Sequence, residues 1–170
     1  MVDRPAPPDE PLLEHRLTTG RERVAADAAA RGIDIEFVER LNAGSLAEAA
    51  SILGISEGDV VKSLVVKRSD DTFLFALIPG DRQIAWAKLR SVVGVNKLQL
   101  PSQDIAFEAT GYERGTITPL GSTTSWPVFA DETIRGKRIA LGAGEHGLSV
   151  FVQADDLIVG LDASVADISD

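Results

Sequence analysis

Gly111-Tyr112-Glu113-Arg114-Gly115-Thr116-Ile117-Thr118-Pro119-Leu120-Gly121 gathers three glycines and a proline into eleven residues. Such a segment is fixed at Pro119 and allows a ligand to approach its backbone closely at Gly115. It lacks the Gly-Lys-Ser/Thr ending of a phosphate-binding loop and the Gly-x-Gly-x-x-Gly of a dinucleotide fold. What it can supply is backbone N–H groups, over Gly115 to Pro119, aimed at a carbonyl oxygen. Donors of this kind stabilise the oxyanion of acyl transfer by about 3 kcal/mol each.

Side-chain chemistry is sparse. The chain has no cysteine and two histidines, and no spacing of carboxylates or imidazoles suggests a metal cage or a triad. No metal or organic cofactor is expected. Lys62 interrupts the apolar run Val60 to Val66 and, by period two, shares a face with Val60, Leu64 and Val66; it is either an edge lysine or a cation pointing into a cleft. His146 sits in the glycine-crowded turn Gly142-Ala143-Gly144-Glu145-His146-Gly147, where a substrate could come close. Asp131 ends the apolar run Val128 to Ala130, as a strand-end functional carboxylate or as a turn cap. Tyr112, the only tyrosine, either stacks on a base or ribose or plugs the core.

The elements that must position these groups are legible from capping and periodicity. Arg21 to Arg31 reads as a surface helix stopped at Gly32, and Ile33 to Val38 as a half-buried strand. Ser45-Leu46-Ala47-Glu48 is a capping box for a helix ending at Gly54. Val60 to Arg68 and Thr72 to Pro79 form a hairpin. A helix over Ile84 to Val93 stops at Gly94, Lys97 to Leu100 is a short strand, and Ser102 caps a helix through Thr110. Beyond the glycine loop come strands at Val128 to Ala130, Arg138 to Leu141 and Leu148 to Val152, a short helix from Asp155, and a closing segment at Val165 to Ile168. Hairpins mixed with crossovers predict an α/β (α+β) fold, a mixed, curved sheet surrounded by short helices. Residues 1–15 are expected to be a disordered leader and 16–170 one domain.

Composition narrows the function classes. No apolar run approaches the ~20 residues of a membrane span, and the leader has no apolar core of an export signal, so a cytoplasmic, membrane-free protein is expected. The net charge of −9 argues against a polyanionic partner, DNA included, but the charge is uneven. Residues 60 to 100 carry seven basic and three acidic groups. Lys62, Lys67, Arg68, Arg82, Lys88, Arg90 and Lys97 form either a solvated face or a face that meets phosphates.

Taken in order, Val61-Lys62-Ser63-Leu64, Pro79-Gly80-Asp81, Gly94 with Lys97-Leu98, Thr110-Gly111-Tyr112, Gly115-x-x-x-Pro119-Leu120-Gly121, Val128 to Glu132 and Gly142-Ala143-Gly144-x-x-Gly147-Leu148 resemble the YbaK/EbsC family. These are free-standing aminoacyl-tRNA deacylases related to the editing domain of bacterial prolyl-tRNA synthetases. The resemblance runs from about residue 30 to the C-terminus. It implies hydrolysis of the ester on a misacylated tRNA, with alanine or cysteine on tRNA(Pro) as the expected substrate. It implies that Lys62 anchors the tRNA 3′ end and that Gly115, Thr116 and Pro119 belong to the loop holding the aminoacyl carbonyl. Tyr112, Thr118, Asp131, Gly144 and His146 complete the expected substrate-contacting set. A synthetase is a possible second partner. The chain departs from relatives at Glu145-His146, where some have Lys-Arg, and at Ala85 and Ala87, where an acid and a lysine are common. Two alternatives stay open: a non-catalytic module binding tRNA or a synthetase, and hydrolysis of another small acyl ester at the same loop.

Overall fold

Phe73–Pro79 is an unbroken apolar run, FLFALIP, and runs of that kind belong to strands covered on both faces. In the computed structural model, which describes residues 19–41 and 43–170, this segment is strand β3 and all seven of its residues are buried. Its alternation feeds two cores. Phe73, Phe75 and Leu77 join one apolar cluster with Val61, Val65 and Val128, whereas Leu74, Ala76 and Ile78 join another with Val66, Leu89, Leu98 and Ile168. The expected leader, and His15 with it, lies outside the described residues.

The other strands are β1 (Ile35–Glu39), β2 (Val61–Arg68), β4 (Leu98–Gln99), β5 (Val128–Asp131), β6 (Arg138–Gly142), β7 (Leu148–Gln153) and β8 (Ser164–Ala166). They divide into a mixed five-stranded sheet, ordered β4-β2-β3-β5-β8, and an antiparallel three-stranded sheet, ordered β1-β7-β6. A parallel bridge between Val60 and Ala140 joins the two. The helices are α1 (Gly20–Ala30), α2 (Leu46–Leu53), α3 (Trp86–Val93), α4 (Gln103–Thr110) and α5 (Ala154–Gly160). The mixed α/β architecture is the expected one, with its strands shared between two sheets. No helix among the described residues is long and apolar enough to cross a membrane.

Local chemistry explains most boundaries. The Ser45 hydroxyl accepts from the Glu48 amide at 3.1 Å, the first half of the capping box, and the Glu48 carboxylate reaches one residue past the cap to accept from the Gly44 amide at 2.8 Å. Ser102 caps α4 through the Ile105 amide. β1 begins two residues later than expected because the Ile33 amide is still bonded to the Ala28 carbonyl, 2.9 Å, as part of the helix stop. The β2–β3 hairpin pairs Val61 with Pro79 through Lys67 with Phe73.

Candidate active site

β2 is paired with β3 from Val61 to Lys67, but on its other flank β4 covers only Lys67 and Arg68. The flank ahead of that pairing opens on a cleft of about 840 Å³, and six consecutive residues, Val60 to Val65, line it, as a bare strand edge does. The volume suits a ligand of drug or nucleoside size. The cleft lies along the seam between the two sheets. Leu141 and Gly142 of β6 and Ser149 of β7 contribute to its walls, as do the N-terminal ends of α2 and α4 and, from the glycine loop, Arg114, Gly115 and Ile117. Two helix N-termini, each carrying partial positive charge, therefore open into one space.

The glycine loop is seated by backbone. The Gly144 amide donates to the Thr116 carbonyl at 3.0 Å. A Cβ added to Gly142 would fall 2.4 Å from the Ile117 carbonyl oxygen, so only glycine at 142 lets the loop lie against β6. Gly115 adopts φ +90°, a left-handed value, and faces the cleft. The Thr116 amide is spent on the Glu113 carbonyl, 3.0 Å, and its hydroxyl donates to the same oxygen at 2.7 Å. The amides of Gly115 and Ile117 have no intramolecular partner among the described residues.

Both ends of this loop are tied to one side chain. Arg23, on α1, donates from Nε and Nη2 to the Gly121 carbonyl at 3.1 and 2.6 Å, from Nη1 to Gly111 at 3.3 Å and from Nη2 to Thr110 at 3.1 Å. Its guanidinium also lies 4.5 Å from the centroid of the Tyr112 ring. Asp27 accepts from the Gly121 amide at 2.8 Å.

Lys62 lies on the cleft wall, with its ammonium donating to the Arg82 carbonyl. Burial lowers this ammonium from the ordinary lysine value, while the nearby Asp81 carboxylate acts in the opposite sense. Of the expected catalytic set, Lys62 and Gly115 line the cleft. Thr116 and Pro119 are buried behind it and shape the loop.

The expected substrate-contacting residues separate in the tertiary structure. Tyr112 is 2 % exposed and donates to the Leu120 carbonyl at 2.7 Å, so it plugs the core and closes the loop on itself. Thr118 is fully buried and accepts from the Leu120 amide at 3.2 Å. Asp131 is also fully buried. It accepts from the Ile168 amide at 3.0 Å and from the Thr133 amide at 3.2 Å, which caps a 3-10 turn and ties β5 to the C-terminal segment. Burial alone would raise its carboxyl, but the bonds from Thr133 and Ile168 outweigh that and hold it below the usual carboxylate range. Tyr112, Thr118 and Asp131 thus do not reach the cleft. Gly144 supports the loop from behind, and His146 is exposed at its rim, 3.0 Å from the Glu113 carboxylate.

Tyr112 offers a direct check. Burial pushes its phenol up to about 12, with Arg23 acting in the opposite sense. A folded value above the unfolded value of about 10 means that the stabilisation is complete below pH 10 and is lost as pH rises through 12. Because the chain has one tyrosine, absorbance at 295 nm should show no tyrosinate until near pH 12. A midpoint near 10 with the fold intact would place the ring at the surface instead.

Three contributors escaped the sequence reading. Arg40 follows β1 and Arg114 precedes Gly115, and both line the cleft. Ser63, next to Lys62 but on the opposite face of β2, also lines it, with a buried hydroxyl that has no hydrogen-bond partner among the described residues. The seven-cation segment, in contrast, sends only Lys62 to the cleft. Lys67 pairs with Asp71 at 3.0 Å, Lys88 with Asp167 at 2.9 Å, and Arg82 is bound to Ser169. Among the described residues there is no group of three His, Asp or Glu placed to hold a metal ion.

Residues 42–159 match the family model of the aminoacyl-tRNA editing domain. The chain belongs to that family. It is 27 % identical over 132 residues to the Enterococcus faecalis protein EbsC, named as a Cys-tRNA(Pro)/Cys-tRNA(Cys) deacylase, covering 77 % of this chain and 79 % of that protein. It is 30 % identical over 102 residues to the proline–tRNA ligase of Trichlorobacter lovleyi, covering 59 % of this chain and 18 % of the ligase. The chain thus spans about a fifth of the ligases it matches. A crystal structure described as a trans-editing enzyme for prolyl-tRNA synthetase superposes with a TM-score of 0.83 at 25 % identity, covering 91 % of this chain and 99 % of that one. The family match, over residues 42–159, takes in the glycine loop and the cleft residues of α2, β2, α4, β6 and β7.

Proposed function

We propose that this editing domain hydrolyses the ester between a wrongly attached amino acid and the 3′-terminal adenosine of a tRNA, working in the cytoplasm where charged tRNA is found. The observation that carries the reading is the composition of the cleft. Lys62, Arg40 and Arg114 line it together with Gly115 and Ile117, whose amides have no partner among the described residues, and no carboxylate of the described residues lines it. Such a lining suits a substrate that brings phosphates and a carbonyl oxygen that becomes negative in the transition state.

An aminoacyl ester is already activated, so a side-chain base is not needed. The Gly115 and Ile117 amides polarise the carbonyl while a water, positioned with the help of the neighbouring ribose hydroxyl, attacks its carbon. The ester C–O bond breaks, one proton of the water goes to the leaving ribose oxygen and the other to solvent, and the amino acid departs as its carboxylate. Thr116, whose amide is committed to Glu113, holds the loop in register. Lys62 contributes positioning and charge and forms no covalent bond.

The amino acid is a small one. Leu46, Ala49, Val65, Ala106, Ile117 and Leu141 supply apolar wall, with the Ser63 hydroxyl as a polar point within it. The names of the relatives favour cysteine on tRNA(Pro), with alanine as the other substrate of choice. Discrimination between them rests on the one thiol that cysteine adds to the methyl of alanine and, like that of a methylene, is worth only about 1 to 3 kcal/mol. Multiple-turnover release of amino acid from tRNA(Pro) charged with cysteine, alanine or serine tests the proposal. Turnover on cysteine or alanine is expected, and release no faster than the spontaneous rate for all three would sink it.

A further inference from the structure

We propose that Arg40 and Arg114 form a clamp for the backbone phosphates of the single-stranded 3′ end as it enters the cleft, and that Ser149 positions Arg40 for that task. The inference rests on the editing reading and assigns work to residues that the carbonyl chemistry does not use.

An aminoacyl ester needs backbone donors, but the chain that leads to it is a phosphodiester. A protein with a net charge of −9 must concentrate its cations where that chain passes. The cleft does so: among the described residues it is lined by two arginines and a lysine and by no acid. Neither arginine makes an ion pair with a described carboxylate, whereas Arg31, Lys67, Lys88 and Arg138 each do.

Arg40 is set in place before any ligand arrives. Its amide donates to the Gly147 carbonyl at 2.9 Å, continuing the β1–β7 pairing by one residue. Its Nε donates to the Ser149 hydroxyl at 2.7 Å, and Ser149 is only 4 % exposed. That bond orients the guanidinium plane and leaves its two terminal nitrogens for a partner. A planar fork with two parallel donors matches a phosphate better than an ammonium does. Arg114 is exposed, lines the cleft and immediately precedes Gly115, so it belongs to the same loop as the amide assigned to the carbonyl.

The test compares two non-hydrolysable ligands by fluorescence anisotropy. One is a single-stranded RNA hexamer ending in CCA with alanine amide-linked at its 3′ end. The other is amide-linked alanyl-adenosine, used as a competitor, which has no phosphate. For Arg40→Gln and Arg114→Gln, hexamer affinity at 0.1 M salt is expected to fall about tenfold each, and by at least about fivefold more than nucleoside affinity. The slope of log K against log salt should become shallower by about 0.7 in each variant, one phosphate contact on a single strand. Ser149→Ala should weaken the hexamer while leaving the slope near wild type, because the Arg40 charge remains. Melting curves check that each variant is folded. Equal losses on both ligands, or wild-type slopes in both arginine variants, would overturn the clamp. If the wild type released no amino acid from charged tRNA yet the slopes changed as expected, the editing reading would fall and the clamp would stand. Intact turnover with unchanged slopes would have the opposite meaning.

Discussion

Lys62→Ala is expected to lower the rate of amino-acid release from charged tRNA by a factor of about 10² to 10³, the usual effect of removing one preorganised charge or donor from a transition state. The fold should survive. The Lys62 side chain gives up one bond to the Arg82 carbonyl, but its burial disfavours the charged form, so removing it relieves a desolvation cost of the same order as the lost bond. The apolar neighbours Val61, Val65 and Val66 that anchor β2 are untouched. The change in unfolding free energy should stay within about 1 kcal/mol. Single-turnover release measured beside a urea denaturation curve separates the two effects. Unchanged turnover would remove Lys62 from the mechanism, and loss of turnover with loss of the folded baseline would make it a structural residue.

Arg23→Met should have the larger effect on stability. The substitution keeps an unbranched apolar stem but removes the donors to the carbonyls of Thr110, Gly111 and Gly121. Hydrogen bonds from charged donors contribute about 1.5 to 3 kcal/mol each, and stranded carbonyls add a desolvation cost. Stacking over Tyr112 adds about 1 kcal/mol. Because these bonds act as one unit they are not additive, and a net loss of about 3 kcal/mol is expected, read as a lower urea midpoint. Turnover should fall as well, even at a temperature where the variant is fully folded, because the tie that holds the two ends of the glycine loop is gone. Arg23→Lys should not rescue it, since one ammonium cannot reach three carbonyls in that geometry. A shift below about 0.5 kcal/mol with full activity would show that the loop keeps its shape through Tyr112, Asp27 and Gly144 alone.

The two experiments probe two parts of one site. Lys62 lies on the β2 wall of the cleft, and Arg23 holds the glycine loop from its core side. The separation explains why a segment with φ +90° at Gly115 and a bare amide at Ile117 can stay preorganised: Tyr112, Thr118 and Leu120 pack it from behind, and Arg23 and Asp27 pin its ends.

Much of the chain is legible in its sequence. Helix ends marked by Ser45, Gly54, Gly94 and Ser102 fall where capping chemistry places them, because a cap is a contact between residues three or four apart. The Val60 to Pro79 hairpin was legible for the same reason: two runs rich in β-branched and aliphatic residues, the first interrupted at Lys62, are joined by a short polar turn. The order of weak motifs around Lys62, Gly115 and Gly142 was enough to indicate the editing family.

Local pattern could not reveal which of those residues share a space. Tyr112, Thr118 and Asp131 have types that suit a pocket, yet burial and hydrogen bonds assign them to the core, because the face a loop residue turns inward depends on what packs behind it. Arg40, Ser63, Arg114 and Arg23 gave no signal of their own. They matter through partners far along the chain: Arg40 through Ser149, 109 residues away, and Arg23 through Gly121, 98 residues away. Sequence alone thus determined the elements, their caps and the family, all set by near neighbours and by motif order. The tertiary structure decided the cleft, its cations and the two faces of the glycine loop, because these arise only where the two sheets meet and bring distant residues within hydrogen-bonding distance.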